Sequence, residues 1–217
     1  MLTLQPGGHD RPLRRLLAIG AHSDDIEIGC GATILRLVHE RPELEVCWMV
    51  LSARGVRSDE ARASAEAMLS GAAQRDIVLH AFRDAYLPYE GSAVKECFEE
   101  IKQRFEPDLI LTHYGQDAHQ DHRLVSELTW NTFRDHLILE FEIPKYDGDL
   151  GRTNFFVRLE DWHVHRKVEH LLEHFPSQHG RQWFSERVFR SLMRLRGMES
   201  NAPSGYAEGF YSRKVVV

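Results

Sequence analysis

Two hydrophobic rhythms alternate along the chain. Short apolar runs, "LLAIGA" (16–21), "EVCWMVLS" (45–52), "DIVLHAF" (76–82), "DLILTH" (108–113) and "LILEFEIP" (137–144), read as five strands. Between them, apolar positions recur at helical spacing over about 28–40, 59–71, 92–105 and 121–134. Strands alternating with helices predict a parallel sheet with right-handed crossovers, and hence a doubly wound sheet of order 3-2-1-4-5. The polar, turn-rich "KYDGDLGRTN" (145–154) reads as a loop rather than a domain boundary, and two further helices are expected at about 161–175 and 181–196. The tail "MESNAPSGYAEGFYSRKVVV" has too little periodicity to assign. The fold class expected is α/β: a single-domain, Rossmann-like, doubly wound and mainly parallel sheet with flanking helices and extra C-terminal helices.

Composition narrows the setting. A chain of 217 residues suits one sizeable domain, and 27 basic against 33 acidic residues give a net charge of -6 with no Lys/Arg block, so no nucleic-acid partner is expected. No apolar stretch approaches the roughly 20 residues of a membrane helix. The start "MLTLQPGGHDRPLRR" lacks the charged head and apolar middle of a signal peptide. Cys30, Cys47 and Cys97 lack metal-motif spacing and read as small buried hydrophobes with reduced thiols, which points to the cytoplasm.

Chemistry is expected where the sheet order reverses, beyond the carboxyl ends of strands one and four. There "AHSDD" and "THYGQDAHQDHR" face each other. His22 and Asp25 in the first segment and His122 in the second supply the three ligands a catalytic zinc takes, with a fourth position open for water. Asp24, beside a ligand, is placed to take a proton from that water. His119, three residues before His122, can stabilise an oxyanion or protonate a leaving amine, and Asp121 can orient an imidazole. The reaction class is metal-assisted hydrolysis of an amide or ester.

"AHSDDIEIGCG" together with "HQDH" resembles the PIG-L/LmbE-like family of zinc-dependent de-N-acetylases, whose signatures read approximately A-H-P-D-D-E-x-x-x-G-x-G and H-P-D-H. The likeness extends over the strand-helix pattern of about 15–135. It implies that His22, Asp25 and His122 bind zinc or another divalent metal, that Asp24 is the general base, and that His119 is its acid or electrophilic partner. It also implies that Arg62 and Asp84 lie near a sugar. His113, at the end of strand four, reads either as lining the pocket or as a satisfied structural histidine. Ser23 and Gln120 stand where the family has prolines, and Ile26 stands where it has the acid of "DDE", with Glu27 one place later, so Glu27 does not inherit that acid's role automatically. On this reading 1–217 is one LmbE-like domain with a core of about 15–144, and 145–217 is a substrate-specificity extension. "SQHGRQWF" and "YAEGF" resemble segments of a bacterial subset of the family.

Plainer readings stand beside these. Gly29 and Gly31 in "GCGATI" lack the third glycine of a dinucleotide fingerprint and read as close helix-to-sheet packing. Arg54 and Arg57 read as solvated charges, and the histidines of "DWHVHRKVEHLLEHF" as surface residues of an amphipathic helix. Ser177 and Gln178 either contact substrate or cap the following helix. The leading function is removal of an N-acetyl group from an N-acetylated amino sugar or sugar conjugate. Cleavage of a thiol-conjugate amide is the second reading, and a non-catalytic saccharide- or nucleotide-binding module the third. The expected partner is a small N-acetylated sugar or glycoconjugate, with a homo-oligomer left open.

Overall fold

In the computed structural model, which describes residues 12–216, the strand β1 (Arg15–His22) sends alternate side chains to opposite faces. Leu16 and Ala18 enter one apolar cluster, while Leu17, Ile19 and Ala21 enter a second. Burial on both faces is what a central parallel strand requires. Parallel pairing joins β1 to β2 (Glu45–Ser52) and β4 (Leu109–His113), β2 to β3 (Gln74–Leu79), and β4 to β5 (Leu137–Phe141). The helices α1 (Asp25–Glu40), α2 (Val56–Met68), α3 (Gly91–Arg104) and α4 (Gln120–Thr132) make the crossovers. Ile34 of α1 and Ala65 of α2 cover the first face; Phe98 of α3 and Val125 of α4 cover the second. The expected order 3-2-1-4-5 is present, and the reversal lies between β1 and β4.

The sheet then continues in a way the periodicity does not announce. β6 (Phe155–Arg158) and β7 (Ala207–Tyr211) extend it to seven strands, with β7 antiparallel to both β5 and β6. Thus "YAEGF" is an interior strand, and its buried Glu208 is what spoils the apolar pattern. Between these strands lie α5 (Asp161–His174) and α6 (Glu186–Glu199). α6 starts later than expected because Ser185 caps it, its hydroxyl accepting from Val188 N.

The surface reading of α5 is corrected for two histidines. Val164, Val168 and Leu171 place this helix in the apolar cluster with α1, α2 and α6, so His163 and His170 are buried, as is Lys167. His163 completes a capping box with Glu160. The three cysteines are free and buried, as expected, and burial pushes the Cys47 thiol up to about 12. No helix among the described residues is long and apolar enough to cross a membrane. Residues 1–11, most of the stretch that lacks a signal-peptide pattern, lie outside the described residues.

Candidate functional site

β1 delivers His22 to the carboxyl edge of the sheet, and α1 begins three residues later. That short turn folds Asp25 back on its own strand, so that Oδ2 accepts from His22 N at 2.7 Å. Across the reversal, β4 leads into a loop and then α4, whose first turn carries His122. Three donor atoms converge: His22 Nδ1 is 3.2 Å from Asp25 Oδ2 and 3.2 Å from His122 Nε2, which is 3.5 Å from Asp25 Oδ2. Ligands about 2.0–2.1 Å from a tetrahedral zinc lie about 3.3 Å from one another, so this spacing matches one triangular face of such a site.

Carboxylates fix each ring from behind. His22 Nε2 lies 3.1 Å from Asp84 Oδ1 and 3.3 Å from Asp121 Oδ2. Asp121 also accepts from Ala85 N at 2.8 Å and Leu87 N at 3.2 Å, which anchors the loop bearing Asp84. Among the imidazoles, then, the Asp121 side chain contacts His22, leaving that ring's Nδ1 for the open side. His122 Nδ1 is 3.0 Å from Asp117 Oδ2, which accepts from Lys145 Nζ at 2.9 Å. The sequence reading missed Asp117; an acid five residues before His122, in the stretch leading into α4, was the available signal.

The charges follow from this crowding. Burial opposes a proton on His22, but Asp25, Asp121 and Asp84 outweigh it and hold its pKa well above the ordinary imidazole value. Burial, helped by His113, pulls His122 down to about 3. For Asp25, burial is outweighed by His122, His113 and His22, which hold the carboxyl well below the usual range. A dication entering the triangle would displace the His22 proton, so binding there releases a proton.

Asp24 sits beside this triangle, 4% exposed, with Oδ1 2.6 Å from Arg57 Nη2 and Oδ2 buried without a partner. Burial raises the Asp24 pKa and Arg57 opposes the rise. An unpartnered carboxylate oxygen on the edge of a donor cluster is suited to accept a proton from water. Gly55, with φ +55° and ψ −135°, makes the turn that brings the first turn of α2 to this place. Arg57 there also reaches Glu60 Oε2 at 3.1 Å, and Glu60 accepts from Ser177 N at 2.8 Å and Ser177 Oγ at 2.6 Å. The expectations for two arginines are therefore exchanged. Arg57 is in the cluster, while Arg62 is exposed, about 140° further round the helix.

His119 precedes α4, and its Nδ1 accepts from Asp121 N at 3.2 Å. Its pKa is lowered, by burial first and His22 second, so the neutral ring carries its proton on Nε2. Of its two readings, His113 has the geometry of the structural histidine. It is fully buried, its Nε2 accepting from Ala21 N at 2.9 Å and lying 3.1 Å from Asp25 Oδ2, beneath the cluster rather than lining an opening. Glu27 is also buried, pushed up to about 8 by burial, and hydrogen-bonded to Ser64. Ser64 Oγ lies 2.8 Å from His170 Nε2, so Glu27 joins α1 to α2 and α5.

Comparison with known proteins gives a consistent result. The family model described as GlcNAc-PI de-N-acetylase (PIG-L) matches residues 17–133. The uncharacterized deacetylase YaiS of Escherichia coli K12 is 30% identical over 137 residues, 59% of this chain and 74% of that protein. The N,N'-diacetylchitobiose deacetylase of Pyrococcus horikoshii superposes with a TM-score of 0.73 at 19% identity, covering 92% of this chain and 84% of its own. GalB of Pseudomonas putida KT2440, a 4-carboxy-2-hydroxymuconate hydratase, superposes with a TM-score of 0.75 at 17% identity, covering 94% and 98%. At these identities the two structures establish the shared fold, and the hydratase shows that this fold hosts more than one reaction.

Proposed function

Because the chain belongs to the GlcNAc-PI de-N-acetylase (PIG-L) family, we propose that it is a metal-dependent hydrolase that removes the N-acetyl group from an N-acetylated amino sugar or a conjugate of one. The observation that carries the reading is the triangle of His22 Nδ1, Asp25 Oδ2 and His122 Nε2 beside the unpartnered oxygen of Asp24. Two imidazoles and a carboxylate are a donor set suited to zinc, and these three residues would hold it. When bound, the cation supplies a Lewis acid and lowers the pKa of a water.

The chain's own groups do the rest. Asp24 Oδ2 takes the proton as water oxygen bonds to the acetyl carbon, and Arg57 fixes the carboxylate through Oδ1. His119 donates its Nε2 proton as a hydrogen bond to the carbonyl oxygen as charge gathers there. When the carbon–nitrogen bond breaks, Asp24 returns the proton to the departing amine, and acetate is the second product. A neutral His119 suits the hydrogen-bond role better than proton donation, which leaves the transfer to Asp24. Asp84, exposed at the rim, is placed to accept from a sugar hydroxyl.

Metal content and acetate release test the proposal together. Protein purified without chelator should carry about one divalent ion per chain. It should release acetate from at least one of a panel of N-acetylated amino sugars, lose that activity on chelation and regain it with zinc. Cleavage of thiol-conjugate amides without acetate release from any sugar would move the assignment to the second substrate class. Saccharide binding that is metal-free and indifferent to His122→Ala would make the protein a binding module.

A further inference from the structure

The helix that carries the acidic turn is broken. Cys30 has φ −146° and ψ 17°, far from helical values, so α1 is a single turn from Asp25 to Gly29 followed by a longer helix. In an unbroken helix the Ile28 carbonyl would accept from Ala32 N. Here Lys167 Nζ of α5 donates to Ile28 O at 2.6 Å, and Ala32 N donates to Glu208 Oε1 of β7 at 3.1 Å. Lys167 and Glu208 are themselves paired at 2.6 Å, and Thr33 N donates to Glu208 Oε2 at 2.7 Å. A buried ion pair thus stands in the gap of the helical ladder: the ammonium at the carboxyl end of the short turn, the carboxylate at the amino end of the longer helix. Both placements agree with the sign of the helix dipole.

We propose that Lys167 and Glu208 are positioning residues for the proposed reaction, splinting the one-turn segment that presents Asp24 and Asp25 to the metal and to water. A single helical turn cannot hold itself in water, since nucleation fixes several dihedrals for one hydrogen bond. At its amino end the turn is fixed by β1, and at its carboxyl end by this pair. The ion pair comes from parts of the chain beyond residue 144, so the strand "YAEGF" serves the acidic turn through Glu208. The inference rests on the metal-site reading above, because the position of Asp25 matters only if it is a ligand.

The test is the double variant Lys167→Met/Glu208→Gln, which removes both charges together and leaves no unpaired buried ion. Its control is Glu142→Gln/Arg196→Met. In that neighbouring buried pair, bonded at 2.7 Å, the Arg196 guanidinium directs its other hydrogen bonds to Glu199 of α6 and to Gly151 O of the 145–154 loop. Cobalt(II) affinity of the metal-free protein is read from its visible absorption, and amide exchange is followed for residues 25–29. At matched loss of stability, the first variant should lose at least about tenfold in cobalt affinity, with faster exchange in the turn, while the control stays within twofold of the wild type. Equal losses in both variants, or affinity within twofold in the first, would overturn the proposal. If that variant does not fold, Lys167→Gln/Glu208→Gln, which also removes both charges but keeps polar groups in the gap, replaces it with the same expectations. Should the wild type bind no cobalt, the metal reading fails, and unchanged exchange across residues 25–29 then overturns the splint independently.

Discussion

Arg57 Nη2 lies 2.6 Å from Asp24 Oδ1, and the other Asp24 oxygen is buried with no partner. The guanidinium thus holds one end of the carboxylate and leaves the other for the role of base proposed above. It is also the largest influence opposing the rise that burial imposes on the Asp24 pKa. Removing it in Arg57→Gln moves that pKa further up, so less of the proposed base is ionised at a given pH and the acid limb of kcat/KM shifts to higher pH. The expected loss at neutral pH is about tenfold to a hundredfold, partly recovered as pH rises. Arg62→Gln should stay within about twofold, since exposed charges away from such features have small effects. Full pH–rate profiles of the two variants check both statements.

Asp117 predicts a different deficit. Its Oδ2 sits 3.0 Å from His122 Nδ1, which selects the tautomer with Nε2 free to ligate. Asp117→Asn keeps the shape but replaces a full negative charge with an amide. Metal affinity should fall about tenfold to a hundredfold, with kcat largely preserved once metal is saturating. A competitive chelator titration reads the first, and acetate release in excess zinc the second. Unchanged affinity would show that the His122 orientation does not depend on this carboxylate.

These residues mark how far the sequence was legible. His22, Asp25 and His122 could be brought together because two motifs end adjacent strands, and strand order follows from the alternation of elements. Arg57 and Arg62 could not be separated in that way. Both are polar positions near the start of α2, and which one faces the cluster depends on the Gly55 turn and on where the helix begins. His163 and His170 looked solvated because they lie among charges, but α5 buries a broad face that includes Lys167. β7 was illegible for the same reason: its inward Glu208 is satisfied by Lys167 and by backbone N–H groups of α1, partners far away in the chain.

His170 gives a pH prediction separate from the metal. Burial, helped by His174 and Arg166, pulls its pKa to about 3, below the ordinary value of 6.5. Between those values the unfolded chain binds a proton that the folded chain does not, so this contribution to stability is complete above pH 6.5 and is lost as pH falls. Glu27, pushed up to about 8, has the opposite slope in the same window, because there the folded chain binds the extra proton. The difference between wild type and His170→Gln isolates the histidine. Urea unfolding should show the variant less stable at pH 7, with the gap narrowing by about 1.4 kcal/mol per pH unit from 6.5 to 4.5. A constant gap would mean that His170 is protonated in the fold.

The two glycines of "GCG" should separate on substitution. A Cβ on Gly29 would lie 2.2 Å from Cδ2 of Phe141, a fully buried ring on β5, so Gly29→Ala forces the ring or the helix to move. Overpacking of that kind costs about 1–3 kcal/mol. A Cβ on Gly31 would meet nothing nearer than Met68 Cε at 3.4 Å, the far end of a flexible side chain. Gly31→Ala should therefore lie within about 0.5 kcal/mol of wild type or be slightly stabilising, since alanine is the better helix former. The cause of the Gly29 cost can be tested directly. In a Phe141→Leu background the ring is gone, and adding Gly29→Ala should then cost clearly less than in the wild type, a coupling of about 1 kcal/mol or more by double-mutant cycle. Urea midpoints at constant m report the wild type and all four variants. If Gly29→Ala and Gly31→Ala cost the same, or if the Gly29→Ala cost is unaltered without the ring, close packing of α1 on β5 is not why Gly29 is glycine.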